Sequence, residues 1–525
     1  MQSRATVIVN KALVASSHEL ASFAGADVLR RGGNVVDAAI TTSAMLCVVQ
    51  NNLCGIGGDL FALIKCGESK VRCVNGSGRA GQNATIGLFE SKDYSEIPKR
   101  GPLAAITVPG IVHAWGEIVA KYASMELKEL LRPAIEYAES GFPLTRNYAN
   151  SIIATKRFLG DIGGWSEIFA PDGNLLTEGM TFKQKDLAFT LRSIASEGTA
   201  TYYSGSLMEK IVRGVRERDG ILEEEDFRNH TTTWTEPIKT NYRGIDIYET
   251  APNSQGATAL LWLNMLECYD LKSLDPERLV KLYLDTGLRA YVERAKFISD
   301  PAFHKLPEDF ASKKYATRLL EEKPLLTQKT LDPKTNRGDT TYFTVADNEG
   351  NCASVIQSNY MGFGSGLVPK GTGLVLQNRG CYFTLNSKHH NCLAPRKRTF
   401  HTICASLGEK DGRTLFSLGL MGGDIQPQVH VQLMTKVIDY EMDIQEAIDA
   451  PRWAFPATIY EKPSALLLEE DLAESIASFK YEGLQNEVLK GYSHQTGHAQ
   501  GIVLNEHGNL SGGADPRGDG AVVGF

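Results

Sequence analysis

Two apolar periods alternate along this chain, and the balance between them changes past its middle. Early on, the spacing is helical. Residues 18–31 form one helical stretch ended by Gly32-Gly33, and Asn34 then caps a second, 35–50, with Asp37 in its first turn. The second stretch is apolar on every side, but it is short and holds Asp37, Thr41, Thr42 and Ser43, so it is expected to be a buried helix rather than a membrane span. Leu127, Leu130, Leu131, Ala134, Ile135 and Ala138 repeat at helical spacing, with Pro133 predicted to split that helix and Gly141 and Pro143 to stop it. A strand is predicted over 242–250, then a turn over 251–256 and an apolar helix over 257–267.

Residues 322–339, rich in Lys, Thr, Pro and Asn, read as an exposed linker. Beyond them the period shortens to two, and strands are predicted over 342–347, 351–357, 373–376 and 414–420. Helices combined with antiparallel strands make the class α+β. No fixed-length repeat is present, which excludes a solenoid.

Composition narrows the function classes. Of 525 residues, 42% are hydrophobic and 22% charged, which excludes a collagen, a disordered tail and a disulfide knot. The net charge of −7 gives no bulk attraction to nucleic acid or an anionic membrane, so small molecules are the expected partners. Nine cysteines form no C-x-x-C pair, and His389, His390, His494 and His498 lack metal-ligand spacing; neither disulfide framework, metal nor cofactor is implied. With no secretory signal at the N-terminus, a cytoplasmic address is expected. The glycine run 55–59 lacks the Lys-Ser/Thr of a phosphate loop and is read as close packing or a tight turn.

The most informative pattern is a hairpin. Residues 340–347 and 351–358 alternate around Asn348-Glu349-Gly350, a three-residue loop closed by a left-handed glycine. If Asp347 faces Asn351, Thr340 lies opposite Ser358 and two hydroxyls meet. A bulge would shift the register and separate them. Taken alone, the pattern favours a structural hairpin with a polar end, because Thr is common in strands.

At this hairpin the sequence resembles the γ-glutamyltranspeptidase family of N-terminal nucleophile hydrolases. The resemblance runs in family order through Gly32-Gly-Asn-Val-Val-Asp-Ala-Ala39, Gly55-Ile-Gly-Gly-Asp59, Thr107-Val-Pro-Gly110, Pro237-Ile with Tyr242-Arg-Gly, Pro252-Asn-Ser-Gln-Gly256, Gly338-Asp-Thr-Thr341, Gly422-Gly423, Gly497-His-Ala-Gln500 and Asp515-Pro-Arg517. It implies a four-layer αββα sandwich and a precursor that cuts itself at Asp339-Thr340. Residues 1–339 and 340–525 would then form a heterodimer of the chain's own two fragments. Thr340 becomes the nucleophile, its freed α-amine the base, and Ser358 the second hydroxyl that orients it. Gly422 and Gly423, between a predicted strand and a helix over 428–440 with Asp424 as its cap, are the oxyanion candidates; a plain strand-to-helix turn is the alternative.

The residues that grip a γ-glutamyl donor in the family are altered here. By the resemblance, Ser77 stands at the carboxylate-binding Arg, with Arg79 a shifted substitute. Tyr360 replaces an Asn, Arg379 a Gln, Tyr382 the amine-binding Asp, and His401-Thr402 the paired serines. A cationic amine loses its carboxylate partner, so the expected substrate is a small acyl amide whose acyl group carries a carboxylate, held by Arg379 and Arg79. The expected activity is γ-glutamyltranspeptidase-like hydrolysis or acyl transfer, with a cephalosporin-acylase-like amidohydrolase as alternative. An uncleaved homologue serving as a binding or structural protein is the reading of another class. A homo-oligomer is compatible with the sequence.

Overall fold

The computed structural model describes residues 3–322, 329–330 and 338–525. Most of the linker expected over 322–339 lies outside the described residues. Two seven-stranded sheets gather the period-two segments. Their strands, in chain order, are β1 (Val7–Val9), β2 (Ala12–Ser16), β3 (Asp59–Lys65), β4 (Arg72–Gly76), β5 (Thr233–Thr235), β6 (Ile238–Tyr242), β7 (Ile245–Glu249), β8 (Asp339–Asp347), β9 (Cys352–Tyr360), β10 (Ser406–Lys410), β11 (Arg413–Met421), β12 (His498–Leu504), β13 (Leu510–Ala514) and β14 (Ala521–Gly524). One sheet has the order β14-β2-β8-β9-β3-β4-β5 and the other β1-β13-β12-β11-β10-β7-β6.

Alternation along β8 explains why the sheets stack. Tyr342 and Ala346 join apolar clusters between the sheets, and Thr344 donates a hydrogen bond to Ser417 of β11 at 2.7 Å. Phe343 and Val345 point the other way, into a core shared with helices. Both faces are therefore covered, and β8 and β9 lie in the middle of their sheet.

Helices α1 (Glu19–Arg30), α2 (Val35–Val49) and α3 (Leu127–Ser140) belong to the layer over the first sheet. Helices α4 (Ala257–Leu266), α5 (Pro276–Phe297) and α6 (Gln426–Ile438) cover the second. The result is the four-layer αββα sandwich. Every residue of α2 is buried, and Asn34 and Asp37 close a capping box at its start. No helix among the described residues is long and apolar enough to cross a membrane. All nine cysteines are free.

Four local expectations are corrected. Helix α3 runs unbroken through Pro133, because Leu130, Leu131, Ala134 and Ala138 are all buried on one face; burying them offsets the ~3 kcal/mol that an internal proline costs. The strand expected over 242–250 is present as β7 but starts later, at Ile245, because Tyr242 ends β6 and the chain turns at Arg243 and Gly244, which both take positive φ. Residues 373–376 form no strand: Gly373 has φ 65°, and a Cβ on Gly57 would stand 2.2 Å from the Val375 carbonyl, so this segment packs irregularly against the 55–59 turn. Helix α6 begins at Gln426, and Asp424 does not cap it.

Candidate active site

The hairpin register holds from Thr341 opposite Gln357 to Ala346 opposite Cys352. Asp347 donates its N–H to the Asn351 carbonyl at 3.1 Å, and Gly350 takes φ 85°. At the open end a bulge does occur, between Asp339 and Thr341, and Tyr360 takes φ 78° there. It does not part the hydroxyls. Thr340 Oγ1 donates to Ser358 Oγ at 3.2 Å, Ser358 Oγ donates to the Asp339 carbonyl at 2.6 Å, and the Tyr360 N–H donates to Ser358 Oγ at 2.8 Å. Ser358 thus uses its one donor and accepts twice, buried with Thr340 at 1% exposure each. The Thr340 hydroxyl, the Ser358 hydroxyl and the Asp339 carbonyl form one hydrogen-bonded relay.

Gly422 and Gly423 follow β11 and enter a short 3-10 turn ahead of α6. Gly423 has φ 58°, and a Cβ on it would lie 3.1 Å from Gly338 Cα, so the chain just before the candidate bond rests on this loop. A clamp that the sequence did not signal fixes it from behind. Gln255 Nε2 donates to the carbonyls of Gly423 (2.9 Å) and Thr402 (2.5 Å). Arg294 donates from Nη1 to Gln255 Oε1 at 2.6 Å and to Asp424 Oδ1 at 3.1 Å. Tyr382 gives its hydroxyl proton to the same Asp424 oxygen at 2.6 Å. Asp424 is thereby held by Arg294 and Tyr382, although burial raises its pKa.

Arg379 is 1% exposed. It donates from Nη2 to Thr402 Oγ1 at 2.8 Å, and its Cζ lies 3.8 Å from the Tyr360 ring centroid. Its Nε and Nη1 have no hydrogen-bond partner among the described residues. Nearby, Asp59 accepts from Gly78 N–H and Gln377 Nε2, each at 2.9 Å. Burial pushes its pKa up to about 7 against those bonds and the charges of Arg379 and Arg398. His401 Nδ1 accepts the Ile403 N–H, so Nε2 carries the ring proton and faces Asp59 Oδ2 at 3.1 Å. Burial lowers the His401 pKa well below its usual range. Tyr360, Arg379, Tyr382, His401 and Thr402 are thus connected by direct contacts or through Asp59 and Phe400.

Arg79 is not brought into this group. Its Nη1 donates to the Thr231 carbonyl and hydroxyl at 3.2 and 3.3 Å, and its charged neighbours are Asp300 and Arg398. Arg100, which carried no sequence signal, approaches instead, donating to the carbonyls of Gly362 and Gly364 in the loop that follows β9. Asp339 also borders a cleft of about 550 Å³ that includes Asn52, Tyr148, Met421, His498 and Arg517.

Of the histidines read from sequence, His389 and His390 stack on one another, and His390 stacks on His304. Among the described residues one group has metal-ligating donors close together, Glu249, Cys404 and His430. Positions so far apart gave no spacing to read. There His430 Nδ1 and Glu249 Oε1 are engaged with each other at 2.6 Å.

Residues 21–525 match the gamma-glutamyltranspeptidase family. The chain belongs to that family. It is 38% identical over 99% of both chains to a glutathione hydrolase-like YwrD proenzyme of Bacillus subtilis, and 32% identical over 98% of both to an oxamate amidohydrolase proenzyme of Klebsiella pneumoniae. Among solved structures, a cephalosporin acylase from Bacillus halodurans superposes with a TM-score of 0.91 at 35% identity, covering 100% of this chain and 98% of that one. Family membership makes the chain a gamma-glutamyltranspeptidase-like hydrolase or acyltransferase with the N-terminal nucleophile fold.

Proposed function

We propose that this family member cleaves itself at Asp339-Thr340 and then hydrolyses amides whose acyl group carries a carboxylate. The observation that carries the reading is the relay from Thr340 Oγ1 through Ser358 Oγ to the Asp339 carbonyl. In the first step Thr340 Oγ adds to the Asp339 carbonyl carbon, the C–N bond breaks, and the hydroxyl proton ends on the Thr340 nitrogen. Ser358 donates to the oxygen on which negative charge develops. Water then splits the ester, returning a proton to Oγ and leaving a free α-amine, whose ordinary pKa of about 7.7–8.0 suits a base at neutral pH. In turnover that amine takes the proton as Oγ attacks the substrate, and the Gly422 and Gly423 N–H groups face the oxyanion. Two of the relatives named above are proenzymes, which fits processing into two chains acting on a small amide.

The acyl side of the reading rests on charge. Arg379 brings a buried cation with two unpartnered nitrogens, while Asp424 is engaged by Arg294 and Tyr382, and Asp59 by Gly78, Gln377 and His401. A donor α-ammonium left without a carboxylate would cost about 2–5 kcal/mol, whereas an acyl carboxylate gains a partner. The oxamate amidohydrolase among the relatives is named for an amide whose acyl group carries a carboxylate and no α-amine.

Two measurements test this. A denaturing gel should resolve two fragments for the wild type and one band for Thr340→Ala, with activity lost. Turnover of glutaryl p-nitroanilide should exceed that of the γ-glutamyl compound; the reverse order, by a wide margin, refutes the acyl assignment. A single wild-type band would favour the uncleaved binding protein.

A further inference from the structure

The bond to be cut already holds a carboxylate in a defined place. Asp339 Oδ2 accepts the Gly362 N–H at 2.8 Å. A Cβ at position 362 would stand 2.7 Å from that oxygen, so any side chain there would push the carboxylate aside. On the other side of Gly362, Arg100 Nη1 donates to its carbonyl at 2.6 Å and to that of Gly364. Gly362 is therefore gripped between a guanidinium on its C=O and a carboxylate on its N–H. Burial lowers the Arg100 pKa, and among the charges that oppose this the Asp339 carboxylate comes first. Arg100 both fixes the loop and lends its charge to whatever acid the loop binds.

Chemistry connects this cradle to turnover. During self-cleavage the acyl group on Thr340 Oγ is that of Asp339; during turnover it is that of the substrate. The oxygen and the ester bond are the same, so both acyl chains start from one point. Counting from the carbonyl carbon, the Asp339 carboxylate is the fourth carbon. We propose that, once the end of the large fragment leaves, the Gly362 N–H and Arg100 receive the terminal carboxylate of a four-carbon acyl group, making succinyl-type amides the preferred substrates. Asp339 is then the precursor's own stand-in for the substrate acid. This rests on the reading of a carboxylate-bearing acyl amide and deepens it by assigning the chain length and the groups that meet the acid. Arg379, screened by the Tyr360 ring, contributes attraction from behind rather than contact.

The test is a length series of p-nitroanilides, oxalyl, malonyl, succinyl, glutaryl and adipoyl, with uncharged butyryl as reference, on processed protein. The expected kcat/KM is highest for succinyl, at least fivefold above both malonyl and glutaryl. Arg100→Gln should reduce the succinyl-to-butyryl ratio of kcat/KM at least tenfold. If that variant is not processed, calorimetry with succinate decides instead: mature wild type binds it, and the Thr340→Ala precursor, whose cradle Asp339 fills, does not. A maximum at another length, or equal succinate binding by precursor and mature protein, overturns this inference and leaves the broader reading standing. If no carboxylated anilide exceeds butyryl, the broader reading falls and this one with it.

Discussion

Arg294 and Arg379 are equally deep in the molecule, at 0% and 1% exposure, yet their surroundings are opposite. Arg294 is tied down. It reaches Gln255 and Asp424 with Nη1 and the Ala457 carbonyl with Nη2, leaving only Nε without a partner among the described residues. Arg379 has one hydroxyl, that of Thr402, and an aromatic face, with Nε and Nη1 unmatched. A buried charge surrounded by acceptors belongs to the framework; one left short of acceptors costs the fold free energy that a bound acid would return. The first arginine holds the Gly422-Gly423 loop in place through Gln255 and Asp424, and the second is the one we propose for the acyl side of the site.

Replacing each arginine by methionine should separate these roles. Arg294→Met strands the Asp424 carboxylate in the interior, and unfolding in urea should register a loss of about 3–5 kcal/mol. Arg379→Met removes a charge that makes one hydrogen bond, to Thr402, and leaves no ion pair broken. Its stability should match or exceed the wild type, while kcat/KM for carboxylated acyl anilides drops about threefold, an attraction of ~0.7 kcal/mol exerted without contact. Loss of stability in Arg379→Met comparable to that of Arg294→Met would erase the distinction.

Asp59 gives a finer probe, because Arg379 is one of the charges holding its pKa down. The folded pKa of about 7 lies above the ordinary carboxylate value, so between roughly pH 4 and 7 the native state carries a proton that the unfolded chain has released. Stability from this group is complete below that window and declines as pH rises through it, by about 1.4 kcal/mol per pH unit. Asp59→Asn should remove that slope when its unfolding is compared with the wild type across the window. In Arg379→Met the slope should extend to higher pH; an unchanged upper limit would mean the two groups do not interact.

The hairpin shows how far the residue pattern reaches. Its pairing was legible because alternation and the Gly350 loop are local, and counting back from Asp347 and Asn351 places Thr340 beside Ser358. The bulge was not, since it depends on Tyr360 being held at positive φ where β9 leaves the sheet. Pro133 misled for the related reason that local propensity was outweighed by a buried face. Three arginines, 79, 100 and 379, look alike as letters. Only packing put the first against Thr231, the second behind Gly362 and the third beneath Tyr360. Gln255 lay inside a quoted motif, but nothing near it in the chain announces that its amide would grip Gly423.

What the sequence determined by itself is the alternation of helices and strands, the faces they bury and the meeting of two hydroxyls at one hairpin end. These follow from backbone geometry and from apolar side chains leaving water, and both act over a few residues. The tertiary structure decided which charges find partners and which are left for a ligand, because that balance is struck between side chains carried to one place by strands and helices far apart in the chain.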